Sequence, residues 1–320
     1  MLNGVDGLRK ELMEETISSL SEHGFEVSEL DLAGLSAYDI IARSQTEKFV
    51  IKVLYNIDTL RNGVALEILR ISKLMGGAAL VVGRRSSVGD MERGIMYFRH
   101  GVPMLSVETF SDYLSGRKPY IFSGPGGYYV PIDGQKMHRV RIELGLSIGY
   151  VSTKVGISRR SISLYESGNA ATIDVLNKIE NLLDDEIRQE MNLVEITRST
   201  RIGNQDYQTD DTFLKEVITL LENVGYSIYP TQKAPYDAVA CEREDFLFTL
   251  GAIRALKEEI NRINAIVKAS AAMEKEFLLV SPNETEKVNV PQNIVSITEL
   301  RDSCDHGNIK PLLERNRYPP

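Results

Sequence analysis

Two stretches of the chain repeat one order of elements, and an internal repeat constrains the fold more than any single motif. The first opens with Leu8, Leu12, Ile17 and Leu20 at helical spacing and stops at His23-Gly24, where glycine suits a helix C-terminus. Phe25-Glu26-Val27, Tyr38–Ala42 and Phe49–Val53 follow, the last two patterned as a hairpin of strands. A helix with Leu66, Leu69 and Met75, the apolar strand Ala78–Val82 and the short strand Met104–Val107 complete it. The second stretch runs through a helix (Phe213, Val217, Leu220, Leu221), Val224-Gly225-Tyr226 and the segments Tyr236–Ala240 and Phe246–Leu250. A long helix (Ile253, Leu256, Ile260, Ile263, Val267) and the strands Phe277–Val280 and Ile294–Ile297 close it. Tyr38-Asp39 matches Tyr236-Asp237, and Ser106-Val107 matches Ser296-Ile297. Duplication of one α/β unit is expected, against two unrelated α/β domains sharing an element order.

The expected division is an α/β domain over 1–118, a linker over 119–131, a small helical domain over 132–196 and a second linker over 197–210. A second α/β domain over 211–304 and a tail over 305–320 with little core complete the chain. No stretch approaches the length of a membrane span, and the acidic N-terminal residues do not read as a signal peptide, so a cytoplasmic protein is expected. Two cysteines and four scattered histidines (His23, His100, His138, His306) imply neither a disulfide scaffold nor a structural metal. No phosphate-binding loop or nucleophilic triad is readable, and no cofactor is implied.

Lys136 to Gly168 carries the most specific signal. Met137, Val140 and Leu144 form a helical stripe ended by Gly145. Ser147 is placed to cap a helix over Ile148–Val155, and Gly156 supplies a turn needing positive φ. Ser158 is placed to cap a third helix, Arg159 to Ser167, and Ile173, Leu176, Ile179, Leu182 and Leu183 to cover the small core. Two short helices around a glycine-containing turn are the helix-turn-helix pattern. Charge agrees. The chain is net −8, yet this segment holds six basic residues against two acidic ones. A basic island in an acidic protein fits a local phosphate-binding face.

The strings Arg139-x-Arg141-x-x-x-Gly145-Leu146-Ser147, Val151-Ser152-x-x-Val155-Gly156-Ile157-Ser158 and Ile162-Ser163-x-Tyr165-Glu166-x-Gly168 closely resemble the lambda-repressor/Cro-like (XRE-type) helix-turn-helix family. Ile148 departs from the family's frequent glutamine, and Ser152 from its common alanine. The whole layout resembles a family of archaeal predicted transcriptional regulators. Docking geometry then assigns Arg159, Arg160 and Ser163 to base edges in the major groove. Lys136, Arg139, Arg141, Ser147, Thr153 and Lys154 are assigned to phosphates. For Arg139 and Arg141 the alternative is a solvated helix face or a pair with Glu143 or Glu166.

The flanking order of helix and strands resembles the PD-(D/E)XK nuclease fold, in which two acids and a lysine bind Mg²⁺ and activate water. Asp39 matches the first acid and Lys52 the lysine, but the second acid position is Val50, which cannot coordinate a hard cation. Glu15 and Glu47 are the available substitutes. In the second half Asp237 is kept and the remaining pair reads as Leu247 and Thr249, so loss of the chemistry is expected twice. Arg84 and Arg85 either bind an anion or end a strand in solvent.

The expected fold is therefore α/β plus all-α: two restriction-endonuclease-like α/β domains flanking a central lambda-repressor-like helix-turn-helix domain. The expected function is a non-enzymatic, sequence-specific transcription regulator that binds double-stranded DNA as a homodimer, with an unassigned effector or protein partner. The alternatives are a Mg²⁺-dependent nuclease and an antitoxin-like interaction scaffold.

Overall fold

The computed structural model describes residues 2–30, 36–202, 209–242, 245–282 and 294–314. Helix α1 (Leu2–Glu22) leads to β1 (Glu26–Glu29), β2 (Ile40–Arg43), β3 (Lys48–Asn56), α2 (Asn62–Leu74) and β4 (Ala78–Arg85). Next come β5 (Ile95–Arg99), β6 (Val102–Ser106), α3 (Val107–Leu114), β7 (Ile121–Gly124) and β8 (Gly127–Val130). The central helices are α4 (Gly134–Glu143), α5 (Ile148–Val155), α6 (Arg159–Glu166) and, after β9 (Ala171–Thr172), α7 (Ile173–Leu183) and α8 (Leu193–Ser199). The last part runs α9 (Thr212–Asn223), β10 (Ser227–Pro230), β11 (Ala238–Glu242), β12 (Asp245–Ala252), α10 (Ile260–Ala272), β13 (Glu276–Ser281), β14 (Ile294–Ser296), α11 (Ile297–Asp305) and α12 (Lys310–Glu314).

The chain forms two compact units. One comprises Met1–Ser19, Leu54–Thr59 and Val81–Ile196, and the other Leu20–Val53, Leu60–Leu80 and Thr197–Pro320. In the first, strands follow the order β4-β6-β5-β7-β8-β9. His100 (φ 50°) and Gly101 (φ 80°) make the turn between β5 and β6, a two-residue hairpin with both central residues at positive φ. Strand β5 leaves little trace in the sequence, because His-Gly is a weaker turn signal than Asn-Gly. The stretch expected as a linker over 119–131 is instead the β7–β8 hairpin. Gly126 (φ 86°) and Gly127 (φ 146°) serve its turn, and its aromatic residues fill strand positions.

In the second unit β1, β2 and β3 are antiparallel neighbours, with Ile40 opposite Ile51. A five-stranded sheet has the order β10-β11-β12-β13-β14, antiparallel in its first two pairings and parallel in its last two. Leu214, Val217, Phe248, Leu250, Leu278 and Val280 form its core. The expected tail contributes to that core, because Ile309, Leu312 and Leu313 are buried in it, while 315–320 lie outside the described residues. Within the expected linker 197–210, Thr197 is fully buried in the second unit and its hydroxyl accepts the Ala79 amide at 2.9 Å, and 203–208 lie outside the described residues. The long helix expected from Ile253 starts at Ile260. Ile253 is a buried strand extension whose N–H bonds the Val280 carbonyl at 2.7 Å.

The same local geometry recurs in both segments of this unit. The amides of Asp39 and Asp237 bond the carbonyls of Ile51 and Leu250, both at 2.8 Å. Phe25 meets Phe49 at 5.4 Å, and Tyr226 meets Phe248 at 5.5 Å. The hydroxyls of Ser72 and Ser270 bond the carbonyl four residues back. The hydroxyls of Tyr38 and Tyr236, 198 residues apart, meet at 2.8 Å. These matches correct the sequence register. Leu250 is the counterpart of Ile51, so Val50 and Lys52 correspond to Thr249 and Gly251, not to Leu247 and Thr249.

Candidate nucleic-acid interface

Helices α4, α5 and α6 each begin where a side chain satisfies a free N–H group. Asp133 accepts from the Lys136 amide at 2.9 Å, Ser147 from Tyr150 at 3.0 Å and Ser158 from Ser161 at 3.0 Å. Gly156 closes α5 in the left-handed region at φ 81°. Val151, Ile162, Leu176 and Ile179 form the core between α5, α6 and α7, with Ile157 packed against it. Ser152 is buried and donates to the Ile157 carbonyl at 2.8 Å, locking the turn between α5 and α6. Gly134 was missed by sequence reasoning. A Cβ there would lie 2.4 Å from the Glu166 carbonyl, so only glycine lets α4 reach the end of α6.

Arg159 and Arg160 are exposed on the first turn of α6, and Ser163 is exposed one turn on. The Arg159 guanidinium lies 3.0 Å from where a Cβ on Gly149 would stand, so it rests over the start of α5. Ser163 donates to the Arg159 carbonyl at 3.2 Å. Arg139, Ser147, Thr153 and Lys154 are exposed, with Lys154 5.7 Å above the Tyr150 ring.

Two expected phosphate ligands are otherwise engaged. Arg141 is 5% exposed and binds Glu166 through Nε and, at 3.0 Å, through Nη2. Its Nη1 donates to the Leu146 carbonyl at 2.8 Å. A buried arginine held by three acceptors cannot also reach a phosphate, so the pairing alternative is the correct one. His138 Nδ1 also lies 2.8 Å from Glu166. Burial opposes the Glu166 charge, but hydrogen bonds from Arg141 and His138 and the Arg141 charge outweigh it and hold the pKa below the usual range. Lys136 is tied to the Glu186 carbonyl at 2.6 Å and to Asp185 at 2.8 Å.

The residues matching the nuclease signature do not fit Mg²⁺. Asp39 is 4% exposed, accepts the Lys52 ammonium at 3.0 Å and takes the Val53 N–H at 2.8 Å. Lys52 also donates to the Ser36 carbonyl at 2.8 Å. Val50 is fully buried and offers no oxygen. Glu47 sits in the β2–β3 turn, at the far end of the hairpin from Asp39. Glu15 is paired with Arg84, which also binds Glu108 at 3.0 Å, so Arg84 is a structural cation. Arg85 is exposed at the strand end. Among the described residues no group of three His, Cys, Asp or Glu side chains is placed to hold a metal ion.

In the second copy of this geometry, Asp237 takes the Ala252 N–H at 2.7 Å and Arg262 at 2.5 Å. Thr249 is buried with its hydroxyl 2.6 Å from that of Ser270. Among the described residues no helix is long and apolar enough to cross a membrane.

Residues 9–119 match the family model of a PD-(D/E)XK superfamily domain, and residues 137–186 match that of a helix-turn-helix. No solved structure matches the chain. A protein of Picrophilus torridus is 40% identical over 97% of this chain and 98% of its own length. One of Thermoplasma acidophilum is 34% identical over 95% of this chain and 97% of its own length. One of Methanocaldococcus jannaschii is 33% identical over 93% and 94%. All three carry the name HTH-type transcriptional regulatory protein, and the chain belongs to this archaeal family.

Proposed function

We propose that the chain is a sequence-specific DNA-binding transcription regulator that reads the major groove with α6. The observation that carries this is the pair of exposed arginines, Arg159 and Arg160, on the first turn of that helix. This is the turn that reaches base edges in helix-turn-helix complexes. Ser163 is assigned to the same face. Arg139, Ser147, Thr153 and Lys154 are assigned to phosphates, while Lys136 and Arg141 are withdrawn from that set.

Each chain carries one such helix, so a homodimer on two half-sites about 34 Å apart is proposed. The two α/β halves are read as copies of one unit, with 1–118, 132–196 and 211–304 as the functional divisions. Their acid–cation pairs are read as structural supports and the chain as a non-enzyme. Support for this comes from Val50 and from the saturated Asp39 carboxylate.

In vitro selection of bound duplexes followed by fluorescence anisotropy tests the reading. Arg159→Ala with Arg160→Ala is expected to weaken the selected site by at least about tenfold relative to random DNA. An unchanged preference in that double variant overturns the assignment of α6.

A further inference from the structure

A cavity of about 390 Å³ lies in the first unit, where the Ser86–Asp90 loop, β5 and the β7–β8 hairpin meet. That volume suits a small ligand. Its charged lining is Asp58, Asp90, Glu92 and Arg99. Arg99 meets Asp58 at 2.5 Å, and the Ser87 amide donates to the other Asp58 oxygen at 2.6 Å. Hydrogen bonds from Ser87 and the charge of Arg99 keep the Asp58 carboxyl ionised against the effect of burial. This pair is neutral, although the Arg99 Nε is buried without a hydrogen-bond partner, and Asp90 and Glu92 are surplus negative charge.

Two phenols complete the wall. Tyr128 donates to Glu92 Oε1, and that bond, with burial, pushes its pKa up to about 12. The Tyr97 hydroxyl accepts the Glu92 amide at 3.1 Å. Carboxylates beside aromatic faces attract a cation. The acids are too dispersed to form a metal cluster, so a bare metal ion is a poorer fit.

We propose that this cavity binds a small organic cation bearing an amine or guanidine, and that its occupancy acts on the helix-turn-helix through β8. Tyr128 and Val130 are two residues apart on that strand and share a face. Tyr128 lines the cavity, while Val130 is 1% exposed in the core formed with Val151, Ile162 and Leu176. The next strand partners, Tyr129 with Thr172 and Val130 with Ala171, lead directly into α7. One short strand thus joins the cavity wall to the domain that carries Arg159 and Arg160. The coupling rests on the regulator reading above, but the binding site does not.

Isothermal titration of the full chain without DNA tests the site, with agmatine and tyramine as cationic probes and glutamate and inorganic phosphate as anionic controls. Saturable binding of at least one cation, weakened about tenfold by Glu92→Gln, is expected. Asp90→Asn, at an exposed side chain, is the second variant should Glu92→Gln not fold, and a severalfold weaker titration is expected from it. Absence of heat with both cations, equal binding of an anion, or unaltered binding in the folded variants overturns the site. Anisotropy on the selected duplex then reads the coupling, with a shift of about fivefold or more expected at saturating probe. Binding with no such shift overturns the coupling and leaves the site. A failed α6 test with intact titration overturns the regulator reading alone.

Discussion

The two α/β segments hold the same acid in the same backbone frame and neutralise it differently. Asp39 and Asp237 each take an N–H from the neighbouring strand, two residues past the carbonyl that their own amide bonds, Val53 at 2.8 Å and Ala252 at 2.7 Å. The cation for Asp39 is Lys52, on that same strand β3. The cation for Asp237 is Arg262, which arrives from α10 and is also bonded to Glu259 at 2.7 Å and to the Pro235 carbonyl at 3.0 Å. At the strand position of Lys52 the second segment has Gly251, where a Cβ would lie 2.7 Å from Ile266 and 2.8 Å from Leu279. A lysine has no room there. The difference teaches that the acid fastens the strand entry, and that any nearby cation can balance it.

The comparison breaks most visibly under truncation of the acids. Asp39→Ala leaves Lys52 buried at 8% exposure without its carboxylate, a loss expected to cost about 3–5 kcal/mol. Asp237→Ala leaves Arg262 with Glu259 and two carbonyls, at a side-chain exposure of 28%, and about 1–2 kcal/mol is expected. Urea unfolding of the full chain at neutral pH measures both. Equal losses would show that the two cations are held equivalently and would defeat the distinction.

The features legible in the sequence were those set by local chemistry. Ser147, Gly156 and Ser158 each act within a few residues of their own position, so their caps and turn could be read directly. The Arg141–Glu166 pair joins residues 25 apart and was one of several open alternatives until the helices were packed. Gly134 and Arg262 act across elements and leave no periodic trace. The two-residue error in aligning β12 with β3 has a simpler cause. A slip of two keeps every side chain on its own face, so the apolar pattern of Phe246–Leu250 fits either register.

A charge present in only one segment sharpens the comparison. Glu67 on α2 is 4% exposed, and its Oε1 has no hydrogen-bond partner. Counting from the matched serines Ser72 and Ser270, the equivalent residue on α10 is Ala265. Burial raises the Glu67 pKa from 4.5 to about 7, against the charge of Arg70 and a backbone hydrogen bond from Gln232. The folded state holds this proton more tightly than the unfolded chain. Stability is therefore expected to fall as pH rises from 4.5 to about 7 and to stay low above that. Glu67→Gln should remove this slope and gain about 2–3 kcal/mol at pH 8, seen as a higher midpoint in urea. An unchanged slope would place the carboxylate in contact with water or a donor.

The smallest expected effect tests whether the two segments are equivalent where their paired tyrosines meet. Tyr38 and Tyr236 are both fully buried, and burial raises both phenol pKa values, so each hydroxyl keeps its proton. Their 2.8 Å bond has one donor and one acceptor, and the geometry permits either direction. Replacing either by phenylalanine removes one hydroxyl and strands the other, at about 1 kcal/mol. If the segments are equivalent, the two single variants should lose the same amount. The double variant should then lose less than their sum, because no hydroxyl remains to be stranded. Thr231, whose hydroxyl donates to the Tyr236 carbonyl at 2.6 Å, acts on the backbone and should affect neither single differently. Unequal singles in the presence of Glu67 that become equal in a Glu67→Gln background would trace the asymmetry to that one carboxylate. Strictly additive losses would mean that the two hydroxyls do not bond each other in solution.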